Sequence, residues 1–141
     1  MRLNKDHYFM ELAKVAAMRA TCIRKQIGCV LVDRRGYVLS IGYNGVPHKI
    51  THCDTENPCK GHTLPPGQDS CLAVHAEQNS ILQCRDPWAI ETAYVTLSPC
   101  KPCLKLLLNT SCRRIVFLEE LEDTFSRNLW LSTGRDWVQL V

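Results

Sequence analysis

His75 and Glu77 stand two residues apart, and further along lies the segment Pro99-Cys100-Lys101-Pro102-Cys103. One histidine and two cysteines make a three-ligand set for zinc. A structural zinc site is usually closed by four protein ligands, whereas a hydrolytic site keeps its fourth position for water. Zn²⁺ with a neutral imidazole and two thiolates carries no net charge, so water held there would ionise more readily than bulk water of pKa about 15.7, though less readily than beside neutral ligands. Glu77 supplies what the metal lacks, a general acid and base that moves protons. A Cys-x-x-Cys pair alone also fits half of a structural zinc site. A redox reading of the pair leaves His75 and Glu77 without a role.

These residues need particular elements beneath them. Cysteines three apart at a helix start present both sulfurs on one side, and the exposed amides and dipole of that end favour thiolates. Ser98-Pro99 predicts an N-cap and a first-turn proline, opening a helix that runs to about Leu108. His75 and Glu77 would diverge in mid-helix and can converge only near a helix N-terminus, with the ion ahead of it. The expected picture is two helix starts facing one ion, one of them following a strand that ends near Leu97.

Around this pair, Phe9, Leu12, Ala13 and Ala16 recur at helical spacing within 6–20. Strands are expected at 27–33 and 37–43, joined by the turn signal Asp33-Arg34-Arg35-Gly36. A helical pattern covers 73–85, a β-branched apolar strand 92–97, a strand 114–118, a helix 123–131 and a closing strand 137–141. Helices alternating with strands after an initial hairpin predict a mixed sheet with helices on both faces.

With 141 residues the chain is read as a single domain, 1–141. Hydrophobic residues make up 45% and charged ones 22%, ordinary for a soluble protein. No apolar run approaches the roughly 18 residues of a membrane span. Met1-Arg2-Leu3-Asn4-Lys5-Asp6 lacks the apolar segment of a signal peptide, so the expected location is the cytoplasm. A net charge of +3 suits a small anionic ligand and does not demand nucleic acid.

Nine cysteines in a chain without an export signal argue for metal ligands rather than disulfides. Cys29, in the apolar run 27–32, reads as core, and Cys84 and Cys112 as structural thiols. Cys22, Cys53, Cys59 and Cys71 remain, the last three bracketing an irregular stretch, 44–70, rich in proline and glycine. A long stretch without periodicity inside a compact domain is usually functional or disordered. Its cysteines favour function.

The chain resembles the deoxycytidylate (dCMP) deaminase family of the cytidine deaminase-like superfamily. The resemblance runs from about residue 21 to 117, through Gln26-Ile27-Gly28-Cys29-Val30, Gly42-Tyr43-Asn44-Gly45-Val46-Pro47, His75-Ala76-Glu77-Gln78-Asn79 and Tyr94-Val95-Thr96-Leu97-Ser98-Pro99-Cys100. The Gly-Tyr-Asn-Gly segment is the most discriminating; the His/Cys/Cys set fits many relatives. The resemblance implies a three-layer α/β/α sandwich with a mixed five-stranded sheet, and zinc on His75, Cys100 and Cys103. It implies hydrolytic replacement of a ring amino group by oxygen, with Glu77 as proton shuttle. It assigns Asn44 to the deoxyribose, and main-chain groups around Ala76 and Ser98 to the cytosine edge. Arg24 is the candidate for the 5′-phosphate, which a planar guanidinium suits, though a plain surface arginine fits it equally. The family is typically hexameric and often regulated by dCTP and dTTP. Many members carry a tyrosine after the fourth strand, where this chain has Glu119-Glu120-Leu121-Glu122-Asp123.

Similar bacterial and viral deaminases carry a second zinc, which makes Cys22, Cys53, Cys59 and Cys71 its expected ligands here, with His52 and His62 as alternatives. A structural zinc contributes on the order of 10–16 kcal/mol in small peptides, ample to fix an insertion at about 44–71. The expected activity is deamination of dCMP to dUMP and ammonia, feeding thymidylate synthesis. Free cytidine or cytosine, a 5-substituted dCMP, and tRNA or single-stranded DNA are alternative substrates. A polymer substrate calls for a longer basic surface and stacking aromatics, and aromatics here are 7%. A zinc-stabilised nucleotide-binding protein without catalysis would have no use for Glu77.

Overall fold

A computed structural model describes residues 1–22, 25–52 and 72–141 of the chain. Its elements in order are α1 (Lys5–Ala17), β1 (Gly28–Asp33), β2 (Val38–Tyr43), α2 (Ala76–Gln83), β3 (Ile90–Leu97), α3 (Lys101–Leu108), β4 (Arg114–Glu119), α4 (Phe125–Ser132) and β5 (Asp136–Gln139). The five strands form one sheet in the order β2-β1-β3-β4-β5. β1 runs antiparallel to both β2 and β3, while β3, β4 and β5 are mutually parallel. The sheet is therefore mixed, as expected.

Strand alternation divides the core in two. Cys29 and Leu31, Ala93 and Val95, and Ile115 and Phe117 face one way, and pack with Ala76, Leu104, Leu107 and Trp130 from α2, α3 and α4. Val30, Val32, Tyr94 and Val116 face the other way, against Phe9, Met10 and Ala13 of α1. Three layers result.

Two glycines let helices sit close. A Cβ on Gly28 would collide with the Ala13 carbonyl of α1, and one on Gly42 would lie 2.6 Å from Ser80 N and 2.7 Å from Ala76 O of α2. Serine hydroxyls close the second contact: Ser80 Oγ donates to Cys29 O at 2.9 Å and Ser40 Oγ to Ser80 O at 2.8 Å. At Gly36 the β1–β2 turn takes φ +88°, where an L side chain is strained. Asp33 Oδ1 holds that turn by accepting from the N–H groups of Arg35 and Tyr37.

Element edges depart from the sequence expectation in instructive ways. The helix expected from 98–99 has Cys100 as its N-cap instead, with Pro102 near its start. Ser98 is occupied elsewhere: its N–H donates to Glu119 O at 2.8 Å and its Oγ accepts from Leu121 N at 2.8 Å. These bonds extend the β3–β4 pairing past Leu97 and delay the helix by a turn's start. The helix expected over 73–85 begins only after His75, because Val74 is drawn into a bridge with Gly45. A short 3₁₀ turn, Pro87–Ala89, precedes β3 and had no periodic signal.

The start of α1 is pinned to the sheet by Asp6, whose carboxylate accepts from Arg114 at 3.0 and 3.2 Å and from Tyr94 OH at 2.7 Å. The Arg114 bond is the main cause that holds the Asp6 carboxyl below its ordinary value. A carboxyl whose pKa falls on folding stabilises above its unfolded value and loses that contribution as pH falls through the folded one. Asp6→Asn should therefore cost about 1–2 kcal/mol near neutral pH, given partial exposure. In urea titrations the gap between wild type and variant should stay level down to about pH 5 and narrow only below about pH 4.

Candidate active site

The strand directions bring the relevant loops to one rim. β2 is parallel to β3 through their shared antiparallel neighbour β1, so Tyr43 at the end of β2 and Leu97 at the end of β3 lie on the same edge. α2 and α3 both begin at this edge. His75 is the N-cap of α2 and Cys100 the N-cap of α3. Glu77 is the second residue of α2 and Cys103 the third of α3, each within the first turn. The geometric condition that His75 and Glu77 flank a helix start is met.

His75 Nδ1 lies 3.2 Å from Cys103 Sγ and 3.3 Å from Cys100 Sγ, and the three donor atoms are all within 4.8 Å of one another. One ring nitrogen can share a single proton or lone pair with only one sulfur at a time. Near-equal distances to two sulfurs instead match edges of a coordination tetrahedron, which for zinc–nitrogen and zinc–sulfur bonds come to about 3.5 Å. The donor set fits zinc in type, number and spacing. Among the described residues this is the cluster of three or more potential ligands that the structure brings together.

Electrostatics favour one of the two thiolates. The Cys103 thiol bonds to Cys100 and, with help from His75, holds Cys100 down at about 4, so it is a thiolate. Cys103 is pushed strongly upward, first by that same bond and then by burial. His75 is raised, mainly by its bond to Cys100. A buried pair of sulfurs can carry both negative charges only beside a cation. Glu77 is 4% exposed, and burial is the main cause that lifts its carboxyl to about 7. At that value a carboxyl both accepts and returns protons at neutral pH.

The other expected site residues divide into three groups. Asn44 is buried at the turn after β2, where its Oδ1 accepts from Ile27 N at 2.7 Å and its Nδ2 donates to Lys25 O at 2.8 Å. One acceptor site and one N–H of this amide remain for a ligand. Ala76 and Ser98 are buried at the two helix starts. As the first residue of α2, Ala76 has an N–H with no helical acceptor, whereas the Ser98 N–H is already given to Glu119. Cys22 is buried and His52 exposed. Arg24, Cys53, Cys59, His62 and Cys71 lie outside the described residues.

Sequence reasoning missed the supports. Gln78 Oε1 accepts from His75 N at 2.8 Å, fixing the backbone of the ligand. Its place three after the N-cap is that of a capping-box glutamine, but with histidine at the N-cap the Ser/Thr sequence signature is absent. Asn79 Nδ2 donates to Tyr43 O at 2.8 Å, and no local pattern announces that bond.

The model of the cytidine and deoxycytidylate deaminase zinc-binding region matches residues 3–119. The deoxycytidylate deaminase of Mycobacterium phage D29 is 37% identical over 123 residues, covering 82% of this chain and 94% of that protein. That of Saccharomyces cerevisiae is 35% identical over 120 residues, 83% of this chain but 38% of its own length. The chain spans 60% of the length of a Caenorhabditis elegans relative. Among solved structures, the dCMP deaminase of cyanophage S-TIM5 in complex with dCMP and dUMP superposes with a TM-score of 0.77 at 20% identity, over 99% of each chain. With its histidine, two cysteines and buried glutamate gathered at two helix starts, the chain belongs to the cytidine and deoxycytidylate deaminase family.

Proposed function

We propose that the protein is a zinc-dependent dCMP deaminase that converts dCMP and water to dUMP and ammonia, feeding thymidylate synthesis. The observation that carries this reading is the buried Glu77 carboxyl beside the His75, Cys100 and Cys103 donor set. When bound there, zinc supplies Lewis acidity that makes water a nucleophile near neutral pH. Glu77 would accept a proton from the attacking water as that oxygen bonds to C4 of the cytosine, and would pass the proton to ring N3. The remaining hydroxyl proton then travels through Glu77 to the amino group, the C4–N bond breaks, and ammonia leaves. Burial keeps this carboxyl from being held as a solvated anion.

The substrate is positioned by four residues in this reading. The Ala76 N–H and the Ser98 carbonyl read the cytosine edge, Asn44 the deoxyribose, and Arg24 the 5′-phosphate. The free hydrogen-bonding capacity of Asn44 and Ala76 supports their assignment. A second zinc on Cys22, Cys53, Cys59 and Cys71, with His52 and His62 as alternative ligands, organises an insertion at about 44–71 within a single 1–141 domain. Cys22 follows Thr21, whose N–H bonds Asn44 O at 3.2 Å, so it sits where that insertion begins. The reading extends to a cytoplasmic homo-hexamer regulated by dCTP and dTTP. The exposed apolar side chains Leu82 and Trp88 support self-association, and cysteines used as metal ligands rather than in disulfides support a reducing compartment.

Three measurements test the proposal. Glu77→Gln should keep its zinc and lose about a hundred- to ten-thousand-fold in ammonia release from dCMP; unchanged turnover would refute the proton-shuttle role. Product formation from dCMP, CMP, deoxycytidine, 5-methyl-dCMP, tRNA and a single-stranded DNA oligonucleotide should be greatest with dCMP, and activity confined to a polymer would replace this reading. Metal analysis of purified protein should return two zinc per chain. A value of one removes the second site.

A further inference from the structure

The turn from Tyr43 to Val46 is held on every side. Gly45 exchanges both backbone hydrogen bonds with Val74, at 3.0 and 2.7 Å, one residue before the ligand His75. Asn44 is fixed in rotation by its own amide bonds to Lys25 and Ile27. Two further side chains, neither of them a metal ligand, bind the turn from opposite directions. Asn79 of α2 donates to Tyr43 O at 2.8 Å. Thr21, in the α1–β1 connection, accepts from Val46 N through Oγ1 at 3.0 Å and donates its own N–H to Asn44 O. Gly45 makes room for that hydroxyl, since a Cβ there would lie 2.8 Å from Thr21 Oγ1.

We propose that Asn79 and Thr21 are positioning residues that fix the 43–46 turn against the zinc-bearing helix and thereby set the preference for a deoxynucleotide. The inference rests on the dCMP deaminase reading and on Asn44 as its sugar contact. Asn79 lies one helical turn beyond His75, with its N–H on the His75 carbonyl at 2.9 Å. Its side-chain bond therefore measures the turn directly against the metal ligand. A group that must meet one sugar face and reject another works only within a narrow positional tolerance, and a displacement of about 1 Å is costly. The amide is required at position 79 because Tyr43 O is an acceptor and a carboxylate would repel it.

The variants are Asn79→Asp, which keeps shape and loses the donor, Asn79→Ala, Thr21→Val, and Thr21→Ser, which keeps the hydroxyl. Asn79→Asp and Thr21→Val should each raise KM for dCMP about five- to tenfold and lower the dCMP-over-CMP ratio of kcat/KM by a similar factor. Zinc content should match wild type, and kcat should stay within about twofold, since the lost contact acts on binding. Thr21→Ser should restore the wild-type values. Unchanged KM and ratio, or a fall in kcat that tracks lost zinc, overturns the proposal. Amide exchange gives a readout that needs no substrate: it should quicken across 43–46 in both variants while α2 stays protected. Unaltered exchange in the turn overturns the positioning role whatever the activity. Wild-type turnover of dCMP, measured first, tests the underlying reading separately.

Discussion

The meeting of His75 Nδ1 with two sulfurs at 3.2 and 3.3 Å is the constraint on which the rest depends. Three donors from two separate helices must converge on one point, and two of them must be anionic. Helix starts solve both requirements, because their free amides stabilise thiolate charge and their N-caps project side chains ahead of the axis. The same placement lets Glu77 stand beside the donors while Gln78 turns back to hold the His75 backbone. A longer separation between His75 and Glu77, or a helix begun at Ser98, would break the arrangement.

Getting two helix starts to one point is the task of the sheet. β2 and β3 end at the same rim because each is antiparallel to β1, and α3 follows directly from β3. Among the described residues no strand leads directly into α2. It is seated instead by contact: Gly42 lets Ala76 and Ser80 approach the backbone of β2, and Ser40 and Ser80 bond across the gap. The chain therefore uses backbone continuity to aim one helix and close packing to aim the other. α1, on the opposite face, uses the same device at Gly28.

Much of this was legible in the sequence because the signals are local. The apolar run at 27–32, helical spacing at Phe9, Ala13 and Ala16, and the turn at Gly36 each follow from neighbours a few residues away. The ligand triad was legible because residue type and spacing constrain metal chemistry tightly. What failed depended on distant partners. Ser98 reads as an N-cap by every local rule, yet its N–H goes to Glu119 at the end of β4 and its hydroxyl accepts from Leu121 just beyond. Asn79 reads as an ordinary helical residue until the end of β2 is placed over it. The ligand role proposed for cysteines within 53–71, outside the described residues, rests on residue type alone.

The acidic segment at the end of β4 and after it is held by specific partners. Glu119 pairs with Lys25 at 3.3 Å, and Glu120 accepts from Trp137 Nε1 at 2.8 Å and from Arg127 at 3.4 Å. Asp123 accepts from Phe125 N as α4 begins. Glu120 and Asp123 are thus engaged where β4, α4 and β5 meet, while the exposed Glu119 reaches across to Lys25 ahead of β1. The Pro-Cys loop meets this segment mainly through its backbone, the Glu119 carbonyl and the Leu121 N–H that hold Ser98. Backbone groups survive substitution of the side chains that carry them. The acidic side chains of this segment can thus vary while the backbone bonds to Ser98 keep Cys100 in place.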